Sequence, residues 1–165
     1  MRNLFCRCVL IALLFATTPS VAADSNAYFR RASGIYTASQ PLPADLKRSE
    51  NLVWRQPLSS GHSTPCITGD RIFLTTFSPD SKELATVALD RKTGKPLWRQ
   101  VAPAKTIETV HRVGNPASAS PASDGKRVFV FFGSYGILCY DLDGQLLWQK
   151  PMGPFQDEFG AGSSP

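Results

Sequence analysis

Histidine is almost missing from this chain of 165 residues: His62 and His111 are the only two, and neither has a sequence partner at metal-ligand spacing. No Gly-rich phosphate loop is present. No G-x-S-x-G nucleophile elbow is present either; GAGSSP at 160–165 lacks the final Gly. These absences remove the commonest signatures of metal, phosphate and serine chemistry. Beyond the first 23 residues no window carries a 3.6-residue apolar period, which argues against helices. Charge of one sign is not concentrated anywhere. Lys and Arg total 18 against 13 Asp and Glu, and the basic residues are scattered, not grouped as a nucleic-acid footprint requires. They read as solvated surface.

Long apolar runs are also scarce. The one near the N-terminus, VLIALLFA (9–16), is far below the roughly 20 residues a membrane-crossing helix needs. Arg2 and Arg7 flank its start, and Val21-Ala22-Ala23 follow a polar TTPS. A charged start, a short apolar run and small residues at a cleavage site make residues 1–23 a signal peptide, cut after about Ala23. The chain is therefore expected to be exported, to the periplasm or outside the cell, with no transmembrane segment in its mature form. Cys6 and Cys8 would leave with that peptide, and Cys66 and Cys139 would remain. These two fall at different places in the repeat described below and read as separate buried thiols.

Residues 24–50 show no sustained period and are read as an irregular leader. After them strand signals dominate: LVWRQ (52–56), RIFLTTF (71–77), ELATVALD (83–90), LWRQV (97–101), RVFVFF (127–132), GILCYDL (136–142) and LLWQK (146–150). Turn residues separate them. The pattern repeats. Trp54, Trp98 and Trp148 are followed by Arg-Gln, Arg-Gln and Gln-Lys, and STPCITGDRIFL (63–74) matches SPASDGKRVFVF (120–131). The final Ser163-Ser164-Pro165 begins the same phrase again. Each unit reads as four strands in about 45–55 residues, the size of one propeller blade.

The stretch ALDRKTGKPLW (88–98) explains the recurring Trp. Asp90 can accept backbone N–H groups in the turn, and Gly94 can adopt positive φ without a Cβ clash. The reversal returns Trp98 beside Ala88, whose small side chain leaves room for an indole. A buried Trp removes roughly 200 Å² from water, worth several kcal/mol, and that is useful only if the ring docks on a neighbouring unit. The second copy has Tyr140 or Asp141 where Ala and Asp would fall, then Gly144 and Trp148 after a turn about one residue shorter.

Ala88-x-Asp90-x-x-Thr93-Gly94-x-x-x-Trp98 resembles the tryptophan-docking motif of the pyrroloquinoline-quinone (PQQ) repeat β-propellers, and the resemblance covers about residues 52–165. It implies an all-β fold: a partial propeller of about two four-stranded antiparallel blades with the start of a third, over 51–165. Closed rings of this family have seven or eight blades. The resemblance thus implies a truncated product, or a chain that needs further blades or other chains to close.

The family includes quinoprotein alcohol dehydrogenases and outer-membrane assembly propellers that bind no quinone. The first expectation is a non-catalytic module for a protein or cell-envelope partner, with no cofactor. The alternative is a fragment of a PQQ- and calcium-dependent dehydrogenase, although no adjacent Cys pair occurs. The Trp residues could be imagined stacking on a quinone, but their places after Gly turns fit docking between blades better. A carbohydrate-binding module using Tyr135, Phe155 and Phe159 ranks last, since no aromatic ladder is visible.

The resemblance also implies that His62, the 78–82 loop, the 102–117 loop, Ser134-Tyr135 and the 151–162 loop share one face. The candidate binding residues there are His111, Arg112, Asn115, Tyr135, Asp157 and Glu158. Asp157 and Glu158, with Gln156, lie between Phe155 and Phe159 and offer a carboxylate pair to a cation or a basic partner.

Overall fold

The computed structural model describes residues 44–45 and 48–165, so the proposed signal peptide and nearly all of the leader lie outside the described residues. Among the described residues, a short 3-10 helix (Ser49–Asn51) precedes two four-stranded antiparallel sheets. The first contains β1 (Cys66–Thr68), β2 (Arg71–Ser78), β3 (Glu83–Asp90) and β4 (Pro96–Val101) in that order. The second contains β5 (Ala122–Ser123), β6 (Arg127–Phe132), β7 (Gly136–Asp141) and β8 (Leu146–Pro151), also in chain order. These are the two anticipated blades. Residues 52–56, expected as a strand, form none. Leu52 and Val53 are exposed, so the apolar run has no sheet to pair with.

Strand β3 is buried along six consecutive residues, Leu84 to Leu89, which fits a middle strand covered on both faces. Strand β6 alternates instead. Val128, Val130 and Phe132 are buried, while Phe129 and Phe131 are half-buried. Its buried row joins Phe73, Leu84, Ala88, Leu138 and Tyr140 in one core lying between the sheets. Cys66 and Cys139 are free, buried thiols. Burial pushes both up from the usual thiol range, so neither is poised as a thiolate.

The β3–β4 and β7–β8 hairpins share one construction. The Asp90 carboxylate accepts the Lys92 and Thr93 amides and the Thr93 hydroxyl at 3.0, 2.7 and 2.8 Å. Asp141 accepts the Asp143 and Gln145 amides at 2.9 and 2.8 Å. Each hairpin slips register one step before its Trp, so Ala88 faces Trp98 and Cys139 faces Trp148. The small position of the second copy is therefore Cys139; Tyr140 pairs with Leu146 instead.

Trp98 joins the sheets. Its ring lies 5.7 Å from Phe73 and 5.8 Å from Tyr140, and its indole N–H donates to the Leu142 carbonyl at 2.9 Å. A Cβ added to Gly144 would stand 2.7 Å from that ring, so only glycine admits this approach. Trp54 repeats the arrangement one unit earlier without a strand. Its indole donates to the Arg91 carbonyl at 2.9 Å, and a Cβ on Gly94 would stand 2.4 Å from its ring. Trp148, at 44 % exposure, lies beside Phe129 on the uncovered side of the second sheet.

A second link runs along the Ser-Pro phrases. The Thr64 amide donates to the Ser120 hydroxyl at 2.8 Å, and the Ser120 amide donates to the Ser164 hydroxyl at 3.0 Å. The residue before each Pro is thus tied to the equivalent position of the next phrase. At the opposite edge Arg71 pairs with Asp143 at 2.6 Å, and the Gln100 amide donates to the Gly144 carbonyl at 2.9 Å.

Candidate functional site

Antiparallel order places the β2–β3 and β6–β7 turns and the connections leaving β4 and β8 at one end of the sheets. Four segments meet there. The Glu108 amide donates to the Ser134 hydroxyl at 3.0 Å, fastening the 102–117 loop to the β6–β7 turn. The His111 amide donates to the Glu158 carbonyl at 2.7 Å, and the Asn115 amide to the Phe159 carbonyl at 3.1 Å. Met152 and Phe155 amides donate to the Tyr135 and Gly133 carbonyls at 2.7 and 2.9 Å. The His62 amide reaches the Ala117 carbonyl at 3.0 Å. Backbone groups that lack a strand partner are thus satisfied between loops, which holds the loops as one surface.

The six candidate binding residues divide by burial. Asn115 and Tyr135 are buried. The Asn115 carboxamide oxygen accepts the Ala117 amide at 2.8 Å, and its NH2 group donates to the Ser60 hydroxyl at 3.2 Å, so this side chain shapes the loop. Tyr135 belongs to the core between the sheets. His111, Arg112, Asp157 and Glu158 are exposed and adjacent through the loop contacts above. His111 lies against Phe159 with centroids 5.6 Å apart, and Asp157 Oδ1 accepts the Phe159 amide at 3.0 Å. Val113, Phe155 and Phe159 are exposed among them. Charged groups interleaved with exposed apolar ones form the composition that a partner protein can cover.

Glu108 was not singled out by its sequence. It is 3 % exposed, and neither carboxylate oxygen closes a hydrogen bond among the described residues. Both oxygens press on Gly133, where an added Cβ would stand 2.8 and 3.0 Å from them. Burial raises its pKa; the Ala161 backbone amide offsets part of this, and the Asp157 carboxylate adds to it.

Beside Glu108 an opening of about 410 Å³ lies between the β2–β3 turn and residues 104–109. Among the described residues no three His, Cys, Asp or Glu side chains assemble as a metal site. The Trp54 and Trp98 rings are occupied against their Gly turns.

A family model described as outer membrane protein assembly factor BamB matches residues 22–162. The chain belongs to the PQQ-like propeller family. Among solved structures, the crystal structure of BamB from Moraxella catarrhalis is similar, with 23% identity and a TM-score of 0.46. The match covers 61% of this chain and 28% of that one, so the chain spans little more than a quarter of the length of that protein. No curated protein matches it. Among the described residues of this propeller chain, no helix is long and apolar enough to cross a membrane.

Proposed function

We propose that this chain is an exported, non-catalytic propeller module that holds a protein partner of the cell envelope through its loop face. The observation that carries the reading is the fastening of four loops into one surface, where exposed His111, Arg112, Asp157 and Glu158 alternate with Val113, Phe155 and Phe159. Rigid loops lose little freedom on binding, so apolar contact at their tips converts efficiently into affinity. The family model's description as an outer-membrane assembly factor supports an envelope partner. The N-terminal run with small residues at 21–23 supports export.

The test is a photo-crosslinking amino acid placed at Arg112 in the exported protein. It should yield a discrete envelope adduct that Phe159→Glu abolishes. The same probe at Lys126, on the turn at the other end of β6, should yield none. Equal adducts from both positions would overturn the assignment of the face.

A further inference from the structure

We infer that the opening between the β2–β3 turn and residues 104–109 receives an extended acidic segment of the partner, its carboxylate held by Lys82 and Lys105. This deepens the proposed function and rests on it. The opening is lined by Phe77, Pro79, Ala104 and Ile107 as an apolar floor, with Thr106 and Thr109 offering hydroxyls. Its volume of about 410 Å³ falls within the usual size of a site for a few side chains.

Both lysines line it and are exposed, and neither has an ion-pair partner among the described residues. Arg71, Arg99 and Arg127, by contrast, each meet a carboxylate within 2.8 Å. Lys82 also holds a backbone φ of +52°, a conformation uncommon for residues other than glycine. Such a conformation persists only where the surrounding turn determines it.

The acidic groups nearby do not cancel this charge. Asp80 shares the turn but does not line the opening. Glu108 does line it, yet both its oxygens are sealed from solvent against Gly133. Burial favours its neutral form. What remains is a pair of positive groups over an apolar floor, complementary to a segment that alternates carboxylates with Leu or Phe.

The test uses fluorescence anisotropy with a labelled Leu-Asp-Leu-Glu-Leu-Asp peptide and its Leu-Lys-Leu-Lys-Leu-Lys counterpart, at low and high salt. The acidic peptide should bind, weaken as salt rises, and lose about tenfold in affinity in the Lys82→Asn, Lys105→Gln double variant, since each exposed charge pair contributes roughly 1.5- to 5-fold. Asn tolerates the positive φ, so the double variant keeps the turn. Equal binding of both peptides, or no loss in the double variant, would overturn the inference. The Arg112 adduct separates the two readings. If it forms while the acidic peptide fails to bind, the loop face stands and this pocket falls. If both are lost, the face itself is wrong.

Discussion

Single atoms decide whether the two sheets meet. Gly144 has a φ of +87° and Trp98 lies over it, whereas Gly69 has a φ of +57° with nothing within 4 Å of its absent Cβ. An alanine at either position carries the left-handed penalty of about 1–2 kcal/mol, but at Gly144 it must also lift the indole. Urea unfolding should show Gly69→Ala costing about 1 kcal/mol and Gly144→Ala about 3 kcal/mol or more. Equal costs would mean that the ring contributes nothing where it sits. Much of this was legible because a turn of Asp, Gly and Trp at fixed spacing is local chemistry. Ala88 faces Trp98 across the hairpin, the Asp90 carboxylate accepts the Thr93 amide, and Gly94 has a φ of +72°. The second copy was harder. A turn shorter by one residue moved the small position onto Cys139, and counting alone could not place the register slip before Trp148.

The long connections behave as an element of their own. Residues 102–117 are held at Glu108 and Asn115, and neither burial could be read from a polar stretch with no period. The loops were expected on one face, and they meet there because of strand order rather than any motif they carry. Residues 52–56 misled for the opposite reason. Leu-Val-Trp resembles a strand, but it meets the first sheet through its indole, on the β3–β4 turn.

Glu108 gives this element a pH dependence. Its folded pKa is raised, chiefly by burial, so its stabilising contribution is complete below the ordinary glutamate range and is lost as pH rises through the raised value. Relative to Glu108→Gln, the native chain should therefore lose urea resistance as pH rises above the ordinary glutamate range. Amide exchange should accelerate first at Glu108 and at the Met152 and Phe155 amides that close on the β6–β7 turn. A constant difference between the two proteins over that rise would show that the carboxylate stays ionised.

At the scale of the molecule, the sheets share one core and should unfold together. Trp98→Ala removes the ring that touches Phe73 and Tyr140 and the bond to the Leu142 carbonyl. It should cost about 3 kcal/mol and broaden or split the unfolding transition, whereas Arg71→Gln, which breaks an exposed ion pair, should shift it by less than about 1 kcal/mol. Matching fluorescence and circular-dichroism curves for Trp98→Ala would instead indicate that the Ser-Pro bonds suffice for cooperativity.

Trp54 reaches Gly94 from an irregular segment, while Trp98 reaches Gly144 from a regular strand. The connector is thus independent of the ladder that delivers it. A gene of this kind can duplicate, erode or exchange whole units while each junction survives in one indole and one bare Cα. This is a physical route by which rings of different circumference can descend from a single ancestral segment.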